Sequence, residues 1–388
     1  DARRVCGGGG VGRGAVAGEA GEGAEMRAVA DAEKGGVKIE PWDYRYYAEK
    51  VRADRYDLDM NEVKAYLQLD KIREGMFWAA GETYGMSFTP VTNVPTQHPD
   101  VRVWEVKRNG AHLGLFYLDP YARAGKRSGA WMNAYRSQQK LDGPVTPIVS
   151  NNSNFVKGAP GQPVLISWDD ATTLFHEFGH AIHGLLSNVT YPSLSGTSVP
   201  RDYVEFPSQV NEAWLPTREV LSRFALHHET GEPMPQALAE KIEQASTFRQ
   251  GFEVTEYLSS ALIDMKLHLA GGADIDPDAF EREELAKLGM PAELPMRHRT
   301  PQFAHVFASD GYSAGYYSYL WAEVLSQDAT EAFEESPGGM YDEGVAKRMV
   351  DHILSVGDTV DQAQAYRAFR GRDPDVGAYL RDKGFPVT

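Results

Sequence analysis

His176-Glu177-Phe178-Gly179-His180 sets two imidazoles four residues apart with a carboxylate between them. On a helix the two rings stand one turn apart on one face, so both can reach a single zinc ion at about 2.0–2.1 Å. Glu177 falls one position round, beside the coordination position left open, where a carboxylate can take a proton from water. A third ligand is needed. His183 lies seven residues beyond His176, roughly 10 Å along the axis, whereas ligands of one zinc sit within about 4 Å of each other. It is therefore assigned to orientation or packing. Glu205 is the better candidate, in Pro200-Arg-Asp-Tyr-Val-Glu-Phe-Pro-Ser-Gln-Val-Asn-Glu212, a second helix opened by Pro200 with a kink or break expected near Pro207. Glu212, two turns further if the helix continues, can orient a ligand histidine.

A second constellation runs from Phe303 to Glu323. Tyr312, Tyr316 and Tyr319 are spaced i, i+4, i+7 and are expected on one helix face. Such a stripe packs a core in most proteins. Opposite a zinc site, phenols could instead donate to an oxyanion, where each donor is worth about 2.7–4 kcal/mol. Gly311 and Gly315, with Ser309-Asp310, permit a loop that moves on binding. His305 reads either as a donor to substrate or as a hydrogen-bonded loop residue.

These residues need a scaffold. Ser167-Trp168-Asp169-Asp170 is a capping-box-like helix start, and Leu174, Phe178, Ile182 and Leu185 continue it at spacings of three and four. Gly179 costs that helix about 1 kcal/mol relative to alanine, which close packing against a neighbouring helix or a substrate would explain. Upstream, residues 163–167 read as a short buried strand. Val101 to Val106 alternates with period two, Asn109-Gly110 supplies a type I′ turn, and His112 to Tyr117 returns, so a hairpin is predicted. Residues 146–155 add an extended segment. If the backbone of Asn151-Asn152-Ser153-Asn154 is an exposed edge, a peptide can add to it as a strand.

Elsewhere the pattern is helical. A short helix over 25–34 stops at Gly35-Gly36, Pro41 opens a helix through Val51, and Asp59 caps a longer one through Trp78. After the metal segment, helices are expected around 217–229, 235–269, 278–288, 312–334, 342–355 and 359–370. Residues 1–24, Gly-rich from Cys6-Gly-Gly-Gly-Gly10 onward, read as a low-complexity, mobile segment. Residues 25–388 read as one domain, mainly α with a small β-sheet. A net charge of −16 over 388 residues argues against nucleic acid and anionic membranes. No apolar run approaches the roughly 18 residues of a membrane span. The single cysteine fits a reducing, cytoplasmic compartment.

Three stretches together resemble the thimet oligopeptidase family of zinc metallopeptidases: the zinc segment, Arg201-Asp-Tyr-Val-Glu-Phe-Pro-Ser-Gln209 and Gly311-Tyr-Ser-Ala-Gly-Tyr-Tyr-Ser-Tyr-Leu-Trp321. Phe206-Pro-Ser-Gln-Val-Asn-Glu212 is similar to the bacterial peptidyl-dipeptidase (dipeptidyl carboxypeptidase) branch. The resemblance covers roughly residues 25 to 388. It implies a neurolysin-like zincin catalytic portion, with His176, His180 and Glu205 as zinc ligands and Glu177 as general base. It further implies that Tyr312 and Tyr319 face the substrate, with Tyr319 as oxyanion donor and His305 as the matching loop histidine. The loop Ala308-Ser-Asp-Gly311 is less glycine-rich than the family pattern. Hydrolysis of short peptides follows, releasing C-terminal dipeptides or, alternatively, cutting internally. The family also carries a long helical N-terminal region that walls a channel. This sequence is expected to lack it, so the missing half is the partner expected, and a non-catalytic zinc-binding fragment is the remaining alternative.

Overall fold

The computed structural model describes residues 10–34, 37–291, 294 and 296–387. The expectations for Cys6 and for a helix stop at Gly35-Gly36 lie outside the described residues. The chain forms two compact units, one of Asp59–Glu240 and Leu325–Asp375, the other of Asp1–Leu58, Lys241–Val324 and Val376–Thr388.

In chain order the first elements are α1 (Gly10–Lys34), α2 (Tyr44–Tyr56), α3 (Met60–Ala65), α4 (Leu69–Tyr84), β1 (Met86–Val91), β2 (Arg102–Arg108), β3 (Ala111–Tyr121), β4 (Trp131–Arg136) and β5 (Ile148–Phe155). There follow α5 (Trp168–Leu186), α6 (Arg201–Glu212), α7 (Arg218–Phe224), α8 (Gln236–Gln244), α9 (Gln250–Leu269), α10 (Pro277–Lys287) and α11 (Ala304–Phe307). The last are α12 (Ser318–Glu334), α13 (Glu343–Met349), α14 (Gln362–Arg370) and α15 (Val376–Asp382). Among the described residues no helix is long and apolar enough to cross a membrane.

The first unit holds the sheet, ordered β1-β2-β3-β5-β4, in which only the β3–β5 pair is parallel. The β2–β3 hairpin turns at Asn109 and Gly110, whose φ of 48° and 81° are those of the predicted turn. Gly184 brings α5 down onto β4 and β5: a Cβ there would lie 2.8 Å from Met132 Cε and 3.0 Å from Val149 Cγ1. At the other end of the sheet, Phe77 of α4 stacks on Phe88 of β1 at 4.1 Å between ring centroids, and Phe178 of α5 meets Phe116 of β3 edge-on at 5.3 Å. Phe178 is fully buried, an enclosure worth about 1.5–3 kcal/mol.

Several expectations change here. Residues 163–167 form no sheet strand. Leu69 N donates to Val164 O at 2.8 Å and Ile166 N to Leu67 O at 2.9 Å, so this segment bonds to the break between α3 and α4 instead. The same bonds split the helix expected from Asp59 to Trp78. Asn151–Asn154 is no exposed edge, because β5 is paired on both sides, by β3 and by β4. The outer strand on that side is β4, which the sequence reading missed together with β1. Pro207 does not break α6, which runs through to Glu212. Phe206 and Val210 are buried, and Asn211 Nδ2 donates to Phe175 O at 2.6 Å, so tertiary contacts carry the helix past the proline.

In the helical unit, residues 10–24 form the first part of α1. Of their glycines, Gly18 serves close approach. A Cβ on Gly251 of α9 would lie 2.2 Å from Glu19 N, and one on Gly18 would lie 3.3 Å from Gly251 Cα. Glu22 caps α9 by accepting from Gly251 N at 2.9 Å and Phe252 N at 3.0 Å. The helix expected over 235–269 divides before this cap, where Arg249 adopts φ 65°. Met26, Ala30, Tyr44, Tyr47 and Phe252 form one core cluster, and Val254, Leu258, Leu320 and Tyr379 belong to another.

Candidate active site

Helix α5 begins as predicted: Ser167 Oγ accepts from Asp170 N at 3.0 Å and Asp170 Oδ2 accepts from Ser167 N at 3.1 Å. The two residues between Glu177 and His180 then lock the helix on opposite sides. Phe178 packs on the sheet, and Gly179 lets α6 approach, since a Cβ there would be 2.6 Å from Ser208 Cα. The glycine that helix propensity disfavours is thus explained by a neighbouring helix.

This pairing brings together the ligand set named from the sequence. His176 Nε2 lies 3.2 Å and His180 Nε2 3.1 Å from the same atom, Glu205 Oε2. The three side chains offer ligand atoms within 4.8 Å of one another, and no other trio of this kind converges among the described residues. Glu212 closes on the far side of His176, accepting from Nδ1 at 2.6 Å. With that N–H committed, Nε2 is the ring atom left to face an ion. Ser208 Oγ donates to Glu205 Oε2 at 3.3 Å and to Glu205 O at 2.8 Å, steadying the third ligand.

The residues fit a divalent cation. Two imidazole nitrogens and one carboxylate are the His₂Glu set of catalytic zinc, three protein ligands rather than the closed four of structural sites. Beside them Glu177 is buried with Oε2 lacking any hydrogen-bond partner, and burial raises its pKa above the usual carboxylate value. Burial also opposes the charge on Glu205, but its bonds to His176 and His180 hold it well below the ordinary range. Burial pulls the His176 pKa down, yet Glu205 and Glu212 together drive it up to about 10. Carboxylates crowding two imidazoles in this way call for positive charge at their centre. His183 is fully buried, neither ring nitrogen has a partner, and burial takes its pKa down to about 3; it stays neutral and packs.

The helical unit assembles the second group. Tyr312 and Tyr319 share a hydrogen bond between hydroxyls at 2.9 Å, and Tyr319 Oη lies 3.2 Å from His305 Nε2. The His305 ring stands edge-on to Tyr312 at 4.4 Å. The expectation of one helix face fails, however. Tyr312 ends a 3₁₀ turn, Tyr316 follows in a loop and is buried, and only Tyr319 lies in α12. A turn brings the two phenols together where a helix was expected.

Sequence reading passed over Ser208 and Asn211, although Glu205, Ser208, Asn211 and Glu212 recur at spacings of three and four on one helix face. It also passed over Asp264, an acid in a helical pattern that gives no local signal.

Fold and site define a zincin-like chain in which a His-Glu-x-x-His helix is completed by a glutamate from the next helix. The chain belongs to peptidase family M3, whose sequence profile matches residues 19–385. It is 42% identical over 370 residues to the dipeptidyl carboxypeptidase of Escherichia coli (strain K12), covering 94% of this chain and 54% of that protein. To oligopeptidase A of the same organism it is 38% identical over 367 residues, covering 93% and 54%. An organellar oligopeptidase A of Arabidopsis thaliana is 34% identical over 359 residues, covering 88% and 45%. The chain thus spans about half the length of the curated relatives it matches. The resemblance drawn from the three motifs and the family match agree, and identity is higher to the dipeptidyl carboxypeptidase than to the oligopeptidases A.

Proposed function

We propose that this chain carries the catalytic centre of a zinc-dependent peptidase that hydrolyses short peptides and releases dipeptides from their carboxyl ends. The observation that carries this reading is the meeting of His176 Nε2 and His180 Nε2 on Glu205 Oε2, with the buried, unpartnered Oε2 of Glu177 alongside. His176, His180 and Glu205 would hold zinc, which when bound supplies Lewis-acid polarisation and a lowered water pKa. The remaining steps belong to the chain's own residues. Glu177 Oε2 takes a proton from the water that attacks the scissile carbonyl carbon, then gives it to the departing amine nitrogen. In the metal-free chain burial raises its pKa, and the same burial keeps it from other proton donors. Glu212 fixes the ring plane and tautomer of His176. Tyr319, hydrogen-bonded to Tyr312 and His305, is the donor proposed for the oxyanion, and Tyr312 and His305 hold its hydroxyl in place.

Release of dipeptides follows the higher identity to the dipeptidyl carboxypeptidase. The sequence that these relatives carry beyond the match is read as the channel wall that restricts substrates to short peptides. A cytoplasmic setting is in keeping with a single cysteine in 388 residues.

The test is Glu177→Gln in this chain, assayed on short peptides with and without a chelator. Stoichiometric zinc with loss of turnover is expected, and retained turnover would remove Glu177 from the reaction. Comparing a peptide with its C-terminally amidated form then separates the modes of cleavage: equal rates on both would exclude dipeptide release in favour of internal cutting.

A further inference from the structure

Asp264 of α9 is 1% exposed and faces the segment that carries the phenols. Its carboxylate is divided between two backbone donors of that segment: Oδ1 accepts from Ala314 N at 2.9 Å and Oδ2 from Tyr316 N at 2.9 Å. His268 Nδ1 lies 2.9 Å from Oδ1. Between the two anchored amides the chain makes a turn that its side chains resist. Ala314 has φ 54°, in the left-handed region that a residue with a Cβ avoids. Gly315 N closes the turn on Tyr312 O at 2.9 Å, and Ser318 N on Gly315 O at 3.1 Å, after which α12 begins with Tyr319 at its second residue. Tyr257, two turns before Asp264 on the same face of α9, donates its hydroxyl to Tyr316 O and stacks on the Tyr316 ring at 5.1 Å.

We propose that Asp264 is a positioning residue for the tyrosine–histidine array. By holding the amides of Ala314 and Tyr316 it keeps the left-handed turn that places the Tyr312 and Tyr319 hydroxyls 2.9 Å apart, with Tyr319 on His305. The assignment rests on the peptidase reading above. The two-oxygen acceptor is what the geometry requires. An amide offers one acceptor and turns an N–H towards the second backbone N–H, leaving that donor buried and opposed. Periodicity did not reveal this residue because the array is not a helical stripe; a carboxylate 50 residues before Ala314 holds the turn that spacing alone credited to a helix.

The test is Asp264→Asn, near in shape, in the wild-type and Tyr319→Phe backgrounds. Four measurements are made: zinc stoichiometry, kcat and KM on a short peptide, and amide hydrogen exchange across residues 308–320. With zinc retained, kcat is expected to fall about 10²-fold, the scale of a misplaced catalytic group, with KM within about threefold of wild type. Exchange at Ala314 and Tyr316 should accelerate. In the Tyr319→Phe background the same substitution should cost less than about threefold, because the group it positions is gone. Ala314→Gly, which adopts the turn without strain, should return part of the lost kcat to Asp264→Asn. If Asp264→Asn does not fold, Ala314→Val opposes the turn from the other side, and the same loss in kcat is expected. Unchanged kcat, unchanged exchange, or a full loss added on top of Tyr319→Phe overturns the assignment. A wild-type chain without turnover overturns the peptidase reading and this role with it, and that control separates the two failures.

Discussion

Replacing Gly179 with alanine tests whether the closeness of α5 and α6 sets the metal centre. The new Cβ would lie 2.6 Å from Ser208 Cα, 2.8 Å from Asn211 Cβ and 2.9 Å from Pro207 O. These are backbone and Cβ atoms, so no rotamer change relieves them. Ordinary contact starts near 3.4 Å, so in a close-packed interior the helices must part by roughly 0.8 Å. Both histidines ride on α5 and Glu205 on α6, and metal centres hold their ligand distances within about 0.2 Å. The fold suffers less than the site. Alanine recovers about 1 kcal/mol of helix propensity against an overpacking cost of about 1–3 kcal/mol, a net loss of about 0–2 kcal/mol. Zinc Kd should therefore rise about 10- to 100-fold, the scale of losing a partner that orients a ligand. The melting temperature in chelator should fall by only a few degrees. Competition against a chromophoric chelator reads the first quantity and thermal unfolding the second. Unchanged zinc affinity would refute the idea that this helix approach fixes the ligand geometry.

Two further outcomes are expected. Glu212→Ala frees His176 Nδ1 and should weaken zinc about 10- to 100-fold while leaving the protein folded, as measured by zinc titration and circular dichroism; an unchanged affinity would show that the 2.6 Å contact does not orient the ring. His183 has a folded pKa of about 3 against 6.5 for the ordinary imidazole, so between those values the unfolded chain binds the extra proton, and stability falls as pH drops from 6.5 towards 3 at about 1.4 kcal/mol per unit. Urea unfolding in chelator should show a steeper loss over this window for wild type than for His183→Leu, and equal slopes would contradict neutral burial of the ring.

The sequence made the metal helix legible because three independent signals fell on one stretch: a capping box, an apolar 3.6-residue period and a ligand pair one turn apart. The β2–β3 hairpin was equally plain from alternation and Asn109-Gly110. What escaped was structure decided at a distance. Strand β4 is largely exposed and does not alternate, and β1 contains Pro90, tolerated on an outer strand but a signal against a strand when read alone. The N-terminal glycines mimic low complexity, yet Gly18 admits Gly251 of a helix more than two hundred residues later. Pro207 argued for a break that packing of α6 on α5 overrides. The spacing of Tyr312 and Tyr319 fits a helix as well as it fits a turn, and the left-handed φ of Ala314 distinguishes the two.

The candidate ligands and the groups that orient them, from the cap at Ser167 to Glu212, are encoded in one short stretch of the chain. In a polypeptide emerging from the ribosome that stretch is finished about a hundred residues before Tyr312 appears, on the order of ten seconds at usual translation speeds. The ligand stretch is thus made before the phenols, while the unit that holds it is completed only with Leu325–Asp375.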